Sequence, residues 1–167
     1  MKTLLLMRHA KSSWDTPQQK DFDRPLNERG RRVAPLMGRY LRRQKIHPDL
    51  VLCSPAERAK ETAGLFTAAA QLSGELRLDE RIYDASVYTL LQVVSQVEDD
   101  ASSVLMIGHN PGLEELILRL TGQIRRMPTA ALASIQLDIE RWADVREMSG
   151  RLDWIQRPKE LPESERS

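Results

Sequence analysis

Thr3-Leu4-Leu5-Leu6-Met7 runs without a polar break into Arg8-His9-Ala10-Lys11-Ser12-Ser13-Trp14-Asp15. An apolar run of that length, stopped at once by charged residues, reads as a buried strand that ends by presenting a guanidinium beside an imidazole. Two later segments repeat the grammar: Leu50 to Cys53 leads into Ser54-Pro55-Ala56-Glu57-Arg58, and Val104 to Ile107 leads into Gly108-His109-Asn110. None of the three runs alternates apolar with polar residues, so each suits a strand covered by helices on both faces. A helical pattern follows each one, and the chain is therefore read as α/β.

Caps and spacing place the helices. Asn27 is positioned to cap a helix whose apolar face is Val33, Leu36, Met37, Tyr40 and Leu41, with Arg31, Arg32, Arg39, Arg42 and Arg43 largely on the other faces. Pro35 must kink that helix or lie near its start. The arginine face is either a solvated surface or a dock for an acidic partner. Ser54-Pro55 reads as an N-cap and a first-position proline, opening a helix to about Gln71 with Arg58 in its first turn. Pro111-Gly112 to about Leu120 and Tyr88 to Val97 supply two more. Leu132 to Ile139 alternates like a half-buried strand, and Arg151 to Ile155 is expected to return antiparallel to it. Residues 1–156 make one domain, and the Pro-, Glu- and Ser-containing residues 157–167 are expected to be a mobile tail.

Lys and Arg number 25 against 24 Asp and Glu, and a net charge of +1 supplies no broad field for nucleic acid or an anionic membrane. Any anion site must be local. The apolar start ends at Met7, too short for a secretion signal, and no stretch approaches the ~20 residues of a bilayer span, so a cytoplasmic protein is expected. The single cysteine, Cys53, reads as a small core residue in a reducing compartment.

In open α/β sheets, ligands gather beyond the carboxyl ends of the strands. Arg8-His9, Ser54 to Arg58 and Gly108-His109-Asn110 all follow strands there, so two arginines and two histidines can share one site. Together they balance a phosphate dianion, and the N-terminus of the second helix adds a favourable dipole. Cysteine-based phosphatase chemistry is excluded by spacing. Its loop places five residues between Cys and Arg, whereas the sixth residue after Cys53 is Ala59, and no glycines line the turn. His9, His47 and His109 show no paired ligand spacing, so neither a metal nor another cofactor is expected, and His47 reads as an exposed loop residue.

Leu6-Met7-Arg8-His9-Ala10, Ser54-Pro55-Ala56-Glu57-Arg58-Ala59-Lys60-Glu61-Thr62 and Ile107-Gly108-His109-Asn110-Pro111-Gly112 resemble the three signature segments of the histidine phosphatase superfamily in order and spacing. The small size and Asp21-Phe22-Asp23-Arg24-Pro25-Leu26-Asn27-Glu28-Arg29-Gly30 are most similar to SixA-type phosphohistidine phosphatases. The resemblance implies the phosphoglycerate-mutase-like fold, a three-layer α/β/α sandwich with a mostly parallel central sheet. It implies that His9 attacks phosphorus and is phosphorylated, that Arg8, Arg58 and His109 hold the phosphoryl oxygens, and that Arg24 adds a further phosphate contact. No metal is then required. The substrate is expected to be phosphohistidine in a signalling protein, with a small phosphomonoester as the alternative enzyme reading and a non-catalytic phosphate- or phosphoprotein-binding module as the other. Mutases need segments that this chain lacks the length to supply.

Two positions depart from the pattern. Ala10 stands where many relatives have Gly, and Asp15 stands where mutases carry Asn, after a matching Trp14; a carboxylate there would repel phosphate, so Asp15 is not expected to be a ligand. The leaving-group acid has two candidates. Glu80, in a segment similar to that of the mutase acid, equally reads as a solvated carboxylate paired with Arg81, and Asp21 resembles an acidic residue near the small-phosphatase site. A leaving imidazole can arrive already protonated, which lessens the need for either.

Overall fold

The computed structural model describes residues 1–166. In chain order the regular elements are β1 (Lys2–Arg8), α1 (Glu28–Arg43), β2 (Leu50–Cys53), α2 (Glu57–Ala70), β3 (Glu75–Leu78), α3 (Val87–Ser95), β4 (Ser103–Gly108), α4 (Gly112–Thr121), β5 (Leu132–Leu137) and β6 (Gly150–Gln156). The strands form one sheet in the order β3-β2-β4-β1-β5-β6. Pairing is parallel from β3 to β1 and antiparallel at β1-β5 and β5-β6.

Two-residue periodicity divides the core. Leu4 and Leu6 of β1 face a cluster with Leu90, Val94, Leu113 and Ile117 of α3 and α4, whereas Leu5 and Met7 face one with Met37, Leu41, Ala63 and Phe66 of α1 and α2. The result is the expected three-layer sandwich. Burying each such side chain stabilises the fold by about 1.5–3 kcal/mol, so the central strands are a rigid base for what they carry at their ends. No helix is long and apolar enough to cross a membrane among the described residues.

Local readings changed in five places. Pro35 neither starts nor interrupts α1, which is helical from Glu28 to Arg43 with Asn27 as its N-cap. Ser54 is not the cap of α2; Ala56 holds that position without a side-chain cap bond, and the Ser54 hydroxyl turns elsewhere. β5 is buried along almost all its length rather than half-buried, because β6 completes the sheet beyond it and both faces are covered. β3 was absent from the sequence reading, its residues being mostly exposed at the sheet edge. The mobile tail is corrected for residues 157–166. Leu161 is 1 % exposed within the α1–α2 cluster, Glu165 pairs with Arg43 at 2.8 Å, and Arg166 donates to the Leu161 and Lys159 carbonyls. The apolar anchor was hidden in a polar stretch; Ser167, the last residue of that tail, lies outside the described residues.

The first turn of α1 packs hard on the segment after His9. A Cβ on Gly30 would meet the Lys11 carbonyl oxygen at 2.2 Å, and Asn27 N–H donates to that oxygen at 3.0 Å. Only glycine permits that approach.

Candidate active site

β1 brings Arg8 and His9 to the carboxyl edge of the sheet between β4 and β5. His9 N–H donates to the Gly108 carbonyl at 3.1 Å, and Ala130 N–H lies 3.0 Å from both the Arg8 and His9 carbonyls. Ala130 reaches this position at φ 65°, a left-handed conformation that costs an alanine about 1–2 kcal/mol. Backbone strain is therefore tolerated where the strand end must be fixed. Ala10 N–H donates to Thr62 Oγ1 at 3.0 Å, and the Thr62 hydroxyl donates to the Arg58 carbonyl at 2.7 Å. That hydroxyl ties the His9 segment to α2.

His9 is 6 % exposed. Its Nδ1 lies 2.7 Å from the Ala10 carbonyl, which can only accept, so Nδ1 carries the proton and Nε2 the lone pair. Arg58 Nε–H, 3.4 Å from Nε2, is consistent with that tautomer. Burial holds the His9 pKa down at about 3 against the raising effect of the Ala10 bond, with His109, Arg58 and Arg8 lowering it further. The ring is thus a neutral imidazole with a free nitrogen, the form a nucleophile requires.

His109 stands with its ring centroid 5.1 Å from that of His9. Its Nε2 is 2.7 Å from Ser54 Oγ, which already accepts from Ala56 N–H at 3.2 Å. The Ser54 hydroxyl has no other acceptor among the described residues, so it is read as donating to Nε2, which puts the proton of neutral His109 on Nδ1. That nitrogen is buried without a partner among the described residues, as is Arg8 Nε, so two donors beside His9 are available to an oxyanion. Burial, then Arg58, hold the His109 pKa down at about 4. Burial also lowers Arg8, whose Nη1 donates to the Met127 carbonyl at 3.2 Å.

Arg58 and Arg24 meet on Asp21. Arg58 donates to its carbonyl at 2.6 Å and to Oδ2 at 3.0 Å, while Arg24 reaches Oδ1 at 3.1–3.2 Å and Ser12 Oγ at 2.9 Å. Trp14, 71 % exposed, lies over Arg24 with the guanidinium carbon 3.5 Å from the ring centroid. Tyr83 O–H also donates to Asp21 Oδ2, at 2.7 Å. Partial burial raises the Asp21 pKa, but hydrogen bonds from Tyr83, Arg58 and Arg24 outweigh it and hold the group at about 2. Asp21 is ionised at neutral pH.

The structure thus gathers Arg8, His9, Arg24, Arg58, His109 and Asp21 at one strand-end site. Glu80 is exposed and makes no side-chain hydrogen bond or ion pair among the described residues; Arg81 pairs instead with Asp79 at 2.7 Å. Asp15 and His47 are exposed. Cys53 is buried, which pushes its thiol up to about 12 and leaves no thiolate for chemistry. No cluster of three metal-ligating side chains occurs among the described residues.

Thr62, Ser54, Tyr83 and Glu114 also shape the site, and little in the sequence announces it. Thr62 lies one turn beyond Arg58, a spacing that places both on one helix face. Ser54 had been read as a cap. Tyr83 packs edge-on to His109 at 5.6 Å between centroids. Glu114 accepts from Asn110 Nδ2 at 3.0 Å and from Met127 N–H at 2.7 Å, fixing the loop whose carbonyl receives Arg8. Only its spacing from Asn110, four residues along, hinted at that.

Comparison with known proteins places the chain in a family. An uncharacterized protein of Mycobacterium tuberculosis is 33% identical over 83% of this chain and 91% of its own length. The phosphohistidine phosphatase SixA of Escherichia coli strain K12 is 29% identical over 81% of this chain and 85% of its own. A solved structure of the protein histidine phosphatase SixA complexed with tungstate superposes with a TM-score of 0.84 at 26% identity, covering 96% of this chain and 99% of that one. Residues 4–99 match the profile of the histidine phosphatase superfamily (branch 1), and the chain belongs to that superfamily.

Proposed function

We propose that the chain is a metal-independent phosphohydrolase that works through a phosphohistidine intermediate on His9 and dephosphorylates phosphohistidine in a partner protein. The observation that carries this reading is the state of His9: buried, neutral, with Nδ1 committed to the Ala10 carbonyl and the lone pair on Nε2, met only by a long 3.4 Å contact from Arg58 Nε–H. Nε2 attacks phosphorus in line with the leaving group. The Nε2–P bond forms as the bond from phosphorus to the substrate imidazole breaks. That imidazole, protonated beforehand on its other nitrogen, leaves neutral. Water then attacks phosphorus, the Nε2–P bond breaks, phosphate departs with the water's protons, and His9 returns to its neutral form. Arg8, Arg58, Arg24 and His109 Nδ1–H stabilise charge on the equatorial oxygens, each such donor contributing on the order of 10²–10³-fold in rate.

The carboxylates favour phosphohistidine over an ester. Asp21 is ionised and Glu80 stands exposed without a partner among the described residues, so neither is held as a proton donor for an alkoxide. An imidazole leaving group needs none. The SixA relatives, named for phosphohistidine, point the same way.

The test is a rapid quench with radiolabelled phosphohistidine peptide. The chain is expected to acquire an acid-labile, alkali-stable label that His9→Ala abolishes along with turnover. Wild-type turnover by His9→Ala would sink the mechanism. A preference in kcat/KM for a phosphomonoester over the peptide would assign the small-molecule reading, and binding without turnover of either would assign the non-catalytic one.

A further inference from the structure

A cavity of about 380 Å³ opens beside the segment Pro128-Thr129-Ala130, and its charge is unlike that of the chain as a whole. Lys11, Arg29, Arg157 and Lys159 line it against one carboxylate, Glu160, which already pairs with Arg157 at 3.1 Å. Lys11, Arg29 and Lys159 are exposed and have no ion pair among the described residues. In a protein of net charge +1 this is a local concentration of unmatched cations.

Its position follows from the topology. Lys11 is two residues beyond His9, so their Cα atoms are at most about 7 Å apart. Arg29 is in the first turn of α1, which is entered from the carboxyl end of β1. Arg157 and Lys159 leave the end of β6, and Gln156 pairs with Leu132 at the start of β5, again at that edge. Pro128, Thr129 and Ala130 line the cavity, and the same segment bonds to the site, Met127 through its carbonyl to Arg8 and Ala130 through its N–H to the Arg8 and His9 carbonyls. Because Lys11 on its lining is two residues from His9, the opening is within reach of a protein segment whose phosphoryl group meets His9.

The lining distinguishes among anions. A compact phosphate is gripped by converging buried donors, but here Lys11, Arg29 and Lys159 are long, exposed side chains, only Arg157 is half-buried, and Val33, Pro128 and Pro158 supply apolar surface between them. That mixture fits spaced carboxylates flanking an apolar side chain. We propose that the cavity is a docking subsite for an acidic segment of the phosphorylated protein substrate. The inference rests on the reading of that substrate as a protein, and it assigns specificity to cations outside the catalytic set.

The experiment uses the full chain, the charge-reversed double variant Arg29→Glu/Lys159→Glu, and two phosphohistidine peptides of equal length. One peptide has Asp and Glu flanking the phosphohistidine, and the other has Gly and Ser. The wild type is expected to favour the acidic peptide by about tenfold in kcat/KM, chiefly through KM and fading as salt is raised, the low end of electrostatic steering. The variant is expected to lose that preference while turning over the neutral peptide and a small phosphomonoester at wild-type rates. Fluorescence anisotropy with the unphosphorylated acidic peptide reads docking without turnover. Peptide turnover failing while charge-dependent binding persists would overturn the phosphohistidine reading and keep the docking subsite. Equal binding by wild type and variant, no preference in the wild type, or equal loss on the small ester would overturn the subsite; the last result would place a small anionic substrate in the cavity.

Discussion

Thr62→Val tests whether the nucleophile is held from α2. Valine keeps the shape of threonine and removes the hydroxyl. Ala10 N–H, 3.0 Å from Thr62 Oγ1, then has no acceptor in a buried place, whereas the Arg58 carbonyl lies within α2 and keeps the helix's own ladder. A buried donor left unpaired costs about 1–3 kcal/mol. In a domain of this size that lowers Tm by about 2–12 °C, at roughly 2–4 °C per kcal/mol. The catalytic effect runs through Ala10, whose carbonyl fixes the His9 tautomer. If Ala10 relaxes towards another acceptor, Nε2 loses its aim and its fixed lone pair, and a displacement approaching 1 Å costs up to about 10²-fold in rate. The assays are calorimetry and steady-state kinetics on one phosphorylated substrate. Thr62→Ser, which retains the hydroxyl, is expected to restore kcat. A destabilised Thr62→Val with kcat within twofold of wild type would refute the positioning argument, because the hydroxyl would then serve the fold alone.

Other expectations follow from the same geometry. His9 and His109 have folded pKa values of about 3 and about 4, below the ordinary 6.5, so the unfolded chain binds more protons as pH falls below 6.5 and stability is lost progressively towards those folded values. Between pH 7 and pH 5 each contributes a loss of about 2 kcal/mol, at 1.36 kcal/mol per unit; urea melts flat across that window would contradict the buried neutral rings. Leu161→Ala is expected to cost about 2–5 kcal/mol by calorimetry, the range for a buried leucine, where a mobile tail would give almost nothing. Trp14→Ala removes the ring over Arg24 and about 0.5–1 kcal/mol of exposed cation–π attraction. That corresponds to a two- to fivefold rise in KM with kcat held, and a collapse of kcat alone would show that Trp14 does more than steady the arginine.

What could be read from the sequence was whatever one segment declares by itself. Leu4 to Met7, Leu50 to Cys53 and Val104 to Ile107 are apolar on both faces because helices cover both, and the polar turns after them form the site because parallel strands end together. Contacts between distant segments were not legible. Ser54 looks like a cap in its own neighbourhood, and only the arrival of His109 shows why its hydroxyl is used otherwise. Leu161 looks like one apolar residue in a solvated tail until α1 and α2 provide somewhere to bury it. Ala130 sits at positive φ with no glycine at its own position to announce it, since the conformation is imposed by the carbonyls of Arg8 and His9.

The charges of the site also explain a tension within it. A histidine held at about 3 is reliably unprotonated, yet low basicity makes a poor nucleophile. Of the influences lowering His9, burial is the largest and belongs to the fold; those of His109, Arg58 and Arg8 are smaller and Coulombic, and the two from the guanidiniums depend on what they face. In the resting arrangement Arg58 is engaged by half-exposed Asp21, and Arg8 Nε has no partner. A dianionic phosphoryl group between them and the ring would offset both positive charges, raising the basicity of Nε2 while the Ala10 carbonyl keeps the proton on Nδ1. Under the proposed mechanism, burial keeps His9 neutral, and the substrate's charge would offset the smaller lowering by the arginines, so that Nε2 would gain basicity when phosphorus is in reach.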